Sequence, residues 1–243
     1  MSRKQAMTLL PRLTKYPLAG KVPSMSLPTV IAIDGPVASG KTVVGRHLAE
    51  RLGFRFVDTG LMYRACTYLA QREGVDIADP AALTALASAA TMDIVVTPAG
   101  ERLLANGEDV TMHLRTPEVQ ASVSDVAKVV GVRVAMVEQQ QRMAEAGEVV
   151  MVGRDIGTKV LPNAAKVYLD ASVDERVRRR LAEVADRETE AEVRANLELR
   201  DRIDSEREES PLTVADDATV VQTDALDVDG VVAAIVTLLR GDA

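Results

Sequence analysis

Thr29-Val-Ile-Ala-Ile33-Asp34-Gly35-Pro36-Val37-Ala38-Ser39-Gly40-Lys41-Thr42-Val43 decides how the rest of the chain is read. Thr29–Ile33 is a short, unbroken apolar run, the pattern of a strand covered on both faces of a parallel sheet. Lys41–Leu52 repeats apolar residues at Val44, Leu48 and Leu52 and stops at Gly53, which predicts a helix with a glycine end. Between the two lies a full G-x-x-x-x-G-K-[ST] pattern. Its glycines let successive backbone N–H groups curl around an anion without Cβ clashes, and the helix N-terminus adds partial positive charge.

Outward from this stretch, Phe54–Val57, Val149–Val152, Lys166–Leu169 and Thr219–Gln222 read as further strands. Gly60–Arg72 and Asp227–Arg240 read as helices. Ser172-Val-Asp-Glu175 and Thr189-Glu-Ala-Glu192 are capping boxes, each predicted to open a helix. Strands alternating with helices imply a parallel sheet covered on both faces. One region breaks the alternation. Asp93–Thr97 and Arg102–Ala105, with turn signals at Pro98-Ala-Gly100 and Asn106-Gly107, predict a small antiparallel meander. With the helices on either side it reads as an insertion over roughly residues 76–140.

Composition narrows the function classes. The 243 residues suit one domain, or one domain carrying an insertion. With 36 acidic against 29 basic residues the net charge is −7, which argues against bulk nucleic-acid binding. The few aromatics, with no Trp, do not make a base-stacking platform. Cys66 is the only cysteine, and His47 and His113 the only histidines, so an intrachain disulfide and a Cys- or His-rich metal centre are excluded. No run approaches the roughly 18–20 apolar residues of a membrane helix. Acidity and single-cysteine usage fit a cytoplasmic protein, and a monomer is expected. Residues 1–26 stand apart as a basic tail with Arg3, Lys4, Arg12, Lys15 and Lys21 and no acid. The tail lacks the apolar run of a signal peptide and is expected to be disordered, with Met25 as an alternative start.

In the phosphate-binding reading, Gly35 to Val43 wrap the donor phosphates, Lys41 bridges the β- and γ-phosphates, and the Thr42 hydroxyl ligates Mg²⁺. No Asn-Lys-x-Asp is present to read guanine. Val149-Val-Met-Val-Gly-Arg154-Asp155 replaces the apolar-run-Asp-Glu of motor and transporter ATPases. An arginine at the C-terminal edge of a parallel sheet enters the ligand crevice, where it could grip a second phosphate; a local ion pair with Asp155 is the alternative. Asp58-Thr59-Gly60-Leu-Met-Tyr63-Arg64 ends the second strand, with Thr59 as a ligand or a plain helix cap. Arg200, Asp204 and Arg207 fall at i, i+4 and i+7, which suits either an anion-binding helical face or an exposed ladder of ion pairs.

The loop, the D-T-G-x-x-Y-R and Gly153-Arg154-Asp155-Ile156-Gly157-Thr158 segments, and Arg200-Asp-x-x-Asp204-Ser205-x-Arg207 with Ser210-Pro211-Leu212 together resemble bacterial cytidylate kinases. Order and spacing agree from about Val30 to Leu239. The resemblance implies an α/β fold: a P-loop NTPase core with a five-stranded parallel sheet flanked by helices. It also implies an inserted acceptor-binding domain with a small antiparallel sheet, about residues 60–140, and a short helical lid, about 173–195. It implies transfer of the ATP γ-phosphate to CMP or dCMP with Mg²⁺. By position, Arg64, Arg154 and Arg207 would hold the acceptor phosphate, and Ser124, Arg133 and Asp155 would read the cytosine edge. Arg200 and Asp204 would contact the sugar. Thr59 and Tyr63 would line the pocket, and the arginines of Arg176-Val-Arg178-Arg179-Arg180, Arg176 and Arg180 among them, would close over the transferring group. Val37 departs from the smaller residue often found at its loop position. The rivals are another P-loop kinase acting on UMP, AMP or a small metabolite, a nucleotide-dependent binding switch, and an RNA-associated protein using its basic tail.

Overall fold

The computed structural model describes residues 27–97, 100–184 and 188–240. The basic tail and the Pro98-Ala99 turn lie outside them. In chain order the elements are β1 (Val30–Asp34), α1 (Lys41–Leu52), β2 (Arg55–Asp58), α2 (Thr59–Arg72), α3 (Pro80–Ala89), β3 (Met92–Thr97), β4 (Gly100–Ala105) and β5 (Glu108–Asp109). There follow α4 (Pro117–Ala127), α5 (Val130–Ala144), β6 (Val149–Gly153), β7 (Ala165–Asp170), α6 (Val173–Val184), α7 (Glu190–Glu206), β8 (Thr219–Gln222) and α8 (Val228–Arg240).

The central sheet is parallel throughout, in the order β2-β6-β1-β7-β8. Alternation along each inner strand feeds two cores. Ile31 and Ile33 of β1 and Val150 and Val152 of β6 pack with Val44 and Leu48 of α1 and Ile235 of α8. Ala32, Val149 and Met151 face the other way, against Ala144 of α5. The register sets Asp34 beside Gly153 and Asp58 beside Val152, so the loop after β1 and the Arg154-Asp155 segment after β6 leave the same edge of adjacent strands. That edge is where parallel sheets bind ligands.

Between α2 and β6 the chain builds a separate core from Met62, Cys66 and Leu69 of α2, Leu83, Leu103, Leu114, Val123, Val132 and Met136. The antiparallel sheet β3-β4-β5 covers it. The Asn106-Gly107 turn is made with positive φ at both residues, 52° and 82°, as a tight hairpin requires. Strand β4 starts two residues ahead of the expected Arg102, pairing Gly100 with Thr97, and β5 adds a third strand. Cys66 is wholly buried, and His113 stacks on Tyr68 at 4.6 Å between ring centroids.

Two expected caps resolve differently. Thr189 forms the full reciprocal box with Glu192 at the start of α7. Ser172 accepts from the Glu175 N–H, but the Glu175 carboxylate turns to Arg178 and Arg179, and the Ser172 N–H donates to Asp224. Helix α7 runs unbroken from Glu190 to Glu206, so part of the expected lid and the Arg200–Asp204 motif share one rigid element. The five-residue π-helix Ile156–Val160, which follows Arg154-Asp155, has no counterpart in the sequence pattern.

Candidate active site

The glycine loop owes its shape to three backbone positions. A Cβ at Gly35 would lie 2.2 Å from the Leu169 carbonyl oxygen, so nothing larger than glycine fits. Ala38 and Gly40 take positive φ, 60° and 93°, and Gly40 delivers the chain into α1. Lys41 is buried, donating to the Pro36 carbonyl oxygen at 2.5 Å and to Ser39 Oγ at 3.2 Å. Burial, and then the repulsion of Arg154, push its ammonium well below the usual lysine range. An incoming polyphosphate would reverse that shift.

Two carboxylates at the sheet edge frame the loop. Asp58 accepts the Thr42 hydroxyl at 2.8 Å through one oxygen and caps α2 through the other, taking the Gly60 N–H at 3.0 Å. Asp58 therefore does the capping that Thr59 was a candidate for. Thr59 itself is buried and donates to the Val152 carbonyl oxygen at 2.9 Å. Asp34 accepts the N–H groups of Ile156 at 2.9 Å and Gly157 at 2.7 Å, fixing the turn that presents Arg154 and Asp155. Burial pushes its carboxyl up to about 6 despite those bonds. Among the described residues no group of three His, Cys, Asp or Glu could cage a metal. Thr42 beside Asp58 fits the opposite habit, a Mg²⁺ that keeps most of its waters and takes phosphate oxygens.

Above the loop, guanidinium groups gather from distant segments. Arg154 donates through Nε to Asp204 at 2.7 Å. Burial alone would lower Arg154, but the carboxylates of Asp204, Asp201 and Asp58 more than offset it. Burial, then the repulsion of Arg154, Arg64 and Arg180, push Arg200 down to about 10. Arg64 is lowered by burial, with Arg115, Arg154 and Arg180 as repelling neighbours, while its Nη1 donates to the Gly60 carbonyl oxygen at 2.9 Å. Arg180 spans from α6 to α4, donating to Gln120 Oε1 at 3.2 Å. Cations that lower one another in a half-dry cleft make a socket for an anion.

Behind this cluster Asp155 forms a buried ion pair with Arg133 and lies 3.8 Å from Arg207. The Arg154-Asp155 pair that spacing alone allows is not made; each residue finds a partner elsewhere. Arg207 is not on the helical face of Arg200 and Asp204, because α7 ends at Glu206 and Arg207 turns extended, with φ −65° and ψ 141°. Its guanidinium still returns to the cluster, 3.5 Å from Asp204 and bonded to the Ser210 carbonyl oxygen at 2.6 Å. Tyr63 is buried, with the Arg133 guanidinium 5.5 Å from its ring centroid, and burial pushes its phenol up to about 12. Ser124 sits half-buried on α4, next to the helix end whose Ala127 carbonyl accepts from Arg133. Among the described residues, Arg64 Nε, Arg133 Nε, Arg200 Nε and Arg207 Nη2 are buried without a hydrogen-bond partner.

The expected lid arginines divide into different environments. Arg176 is buried against the loop, donating to the carbonyl oxygens of Ala171 and Val37 and to Asp201. Arg178 is largely exposed and paired within its helix to Glu175. Arg179 donates to Ser39 O and to Thr223, and its Nη1 lies 3.7 Å from a Cβ position at Gly40. Only Arg180 joins Arg64 and Arg200. The residues not anticipated are Asp34, Asp58, Gln120 and Asp201. Of these, Asp34 and Asp58 carried a signal, a carboxylate at the last position of a strand that feeds the site.

A family model described as cytidylate kinase matches residues 31–241. The cytidylate kinase of Bacillus licheniformis is 48% identical over 217 residues, covering 86% of this chain and 95% of that protein. Those of Geobacillus kaustophilus and Bacillus subtilis are 47% and 44% identical, covering 86% and 83% of this chain and 96% and 92% of theirs. With a glycine loop facing a cluster of guanidinium groups, and a match that spans nearly every described element, the chain belongs to the cytidylate kinase family.

Proposed function

We propose that this chain transfers the γ-phosphoryl group of ATP to CMP or dCMP, giving ADP and CDP or dCDP. The observation that carries the reading is the convergence of Lys41, Arg64, Arg154, Arg180 and Arg200 from distant segments, where burial and cationic neighbours lower Lys41, Arg64 and Arg200 while Asp204, Asp201 and Asp58 keep Arg154 charged. Two polyanions must meet for the reaction, and only such a surplus of fixed cations can hold them together.

In this reading the loop from Gly35 to Val43 cradles the donor phosphates, and Lys41 leaves its contacts with Pro36 and Ser39 for a phosphate oxygen. Mg²⁺, held through Thr42 with Asp58 behind it, spreads the negative charge of the donor phosphates when bound. Arg64, Arg154 and Arg207 grip the acceptor phosphate. Arg154 is oriented for this by Asp204, which takes its Nε at 2.7 Å, and by the Gly153 carbonyl oxygen, which takes Nη1 at 3.4 Å; Nη2 is the nitrogen that turns to the ligand. Arg133 and Asp155, with Ser124 nearby, read the cytosine edge, and Arg200 and Asp204 hold the sugar. Tyr63 walls the pocket; Thr59 serves through the strand it braces. Arg180 and its Gln120 partner reach across the cleft and exclude water. No side-chain base is required, because a phosphate monoester is already a dianionic nucleophile near neutral pH.

A panel of CMP, dCMP, UMP and AMP with ATP and Mg²⁺, read by ADP release, tests the proposal. The expected result is a kcat/KM for CMP or dCMP at least about tenfold above the other two, the scale one well-placed polar contact supplies. ATP consumption that needs no acceptor, or a preference for UMP or AMP, would overturn it. No helix among the described residues is long and apolar enough to cross a membrane.

A further inference from the structure

Val37 is held on every side that a loop residue can be held. Its side chain is 9% exposed and packs with Val177 of α6 and Val193 and Leu197 of α7. Its N–H donates to Asp201 Oδ1 at 3.3 Å, and its carbonyl accepts from Arg176 Nη1 at 3.2 Å. The same Arg176 nitrogen donates to Asp201 Oδ2 at 2.5 Å, and Arg176 Nε donates to the Ala171 carbonyl oxygen at 3.2 Å. A carboxylate and a guanidinium thus close a ring around one residue of the phosphate loop, with an apolar plug beneath it.

Asp201 is flanked in sequence by Arg200 and, three residues on, by Asp204, both in the acceptor cluster. By position it belongs with them. Its charge supports Arg154, but its hydrogen bonds go elsewhere: one residue along an α-helix turns about 100°, and that turn aims the Asp201 carboxylate at the donor loop. We propose that Asp201 is a positioning residue for the donor loop, acting through Val37 and Arg176, so that α7 serves the acceptor with one face and sets the donor cradle with another. The inference rests on the proposed kinase reading for the identity of the acceptor, but not for the donor loop itself.

The pattern is internally consistent. The Val37 side chain reaches the α6–α7 core, so the plug and the two hydrogen bonds fix the same residue. Arg176 is spent on the loop backbone, which explains why it stands apart from Arg180. A backbone cradle gains its affinity from N–H groups held in advance at the right spacing, so loosening one residue of it weakens phosphate binding without touching the phosphate.

The test is calorimetric titration of the full chain with ATP and Mg²⁺, and separately with CMP, for wild type and Asp201→Asn. The substitution keeps the shape but leaves Arg176 without its counter-charge. The expected result is an ATP Kd raised about tenfold, the scale of one hydrogen bond to a charged group, with the CMP Kd within twofold of wild type. A merely structural role would lower the unfolding midpoint and leave both affinities of the folded protein alone. An unchanged ATP Kd, or equal losses for ATP and CMP, overturns the proposal. Should Asp201→Asn not fold, Val37→Ala removes the plug while leaving the charges in place, and it must weaken ATP selectively in the same way. Failure of wild type to bind CMP would count against the proposed acceptor and leave the ATP comparison decisive for Asp201.

Discussion

Replacing Arg154 by alanine should lower kcat by about 10²–10³ while leaving the protein folded. The structure sets both halves of that expectation. Arg154 Nε is committed to Asp204 at 2.7 Å and Nη1 to the Gly153 carbonyl oxygen at 3.4 Å, and the group is held charged by three carboxylates, so the guanidinium is fixed in orientation with Nη2 as its preset donor. Losing one preorganised donor to a transferring group costs roughly 3–4 kcal/mol of transition-state stabilisation. The fold loses less. Asp204 keeps Arg207 at 3.5 Å and the nearby Arg200, so no carboxylate is stranded. Removing Arg154 also relieves the repulsion it exerts on Lys41 and Arg200. The net cost is on the order of 1 kcal/mol, a fall of about 2–4 °C in Tm for a chain of this size. Arg154→Lys separates charge from geometry, since one ammonium cannot satisfy Asp204 and a phosphate oxygen along two edges, and it should lose about tenfold. Steady-state ADP release at saturating ATP and CMP, beside thermal unfolding, reads both. A kcat for Arg154→Ala within threefold of wild type, in folded protein, would refute the reasoning.

Asp155→Asn should erode the ratio of kcat/KM for CMP over UMP by at least about tenfold, because the carboxylate that accepts from a 4-amino group is lost and Arg133 is left without its buried counter-charge; an unchanged ratio contradicts the base-reading role. Gly35→Ala should destabilise by at least about 2 kcal/mol in denaturant unfolding, since the added Cβ meets a backbone carbonyl that cannot swing aside; wild-type stability would show that the loop can shift. Asp34 should titrate near pH 6 by carboxyl NMR. Because its folded value is raised above 3.8, its contribution to stability is full below that pH and is lost as pH rises through about 6, about 3 kcal/mol in all. A midpoint below 5 would contradict that burial penalty.

The local grammar of the chain determined most of the scaffold. Unbroken apolar runs marked β1 and β6, because strands covered on both faces have no polar side to show. Thr219–Gln222 and Lys41–Leu52 came out residue for residue, and Thr189 with Glu192 capped α7 as the spacing predicts. These are short-range matters of sterics and neighbouring hydrogen bonds, decided within a few residues. The partners of the charged side chains were not legible in that way. Arg154 lies beside Asp155 in sequence and pairs with Asp204, fifty residues on; Asp201 lies beside Arg200 and holds Val37, 164 residues back. Ser172 has the capping-box spacing, yet Asp224 takes its N–H and two arginines take Glu175. Arg207 keeps helical spacing from Asp204 after the helix has ended. Strand order and register bring these groups within reach, and a charge in a half-buried cleft settles on whichever opposite charge the fold supplies rather than on its neighbour in the chain.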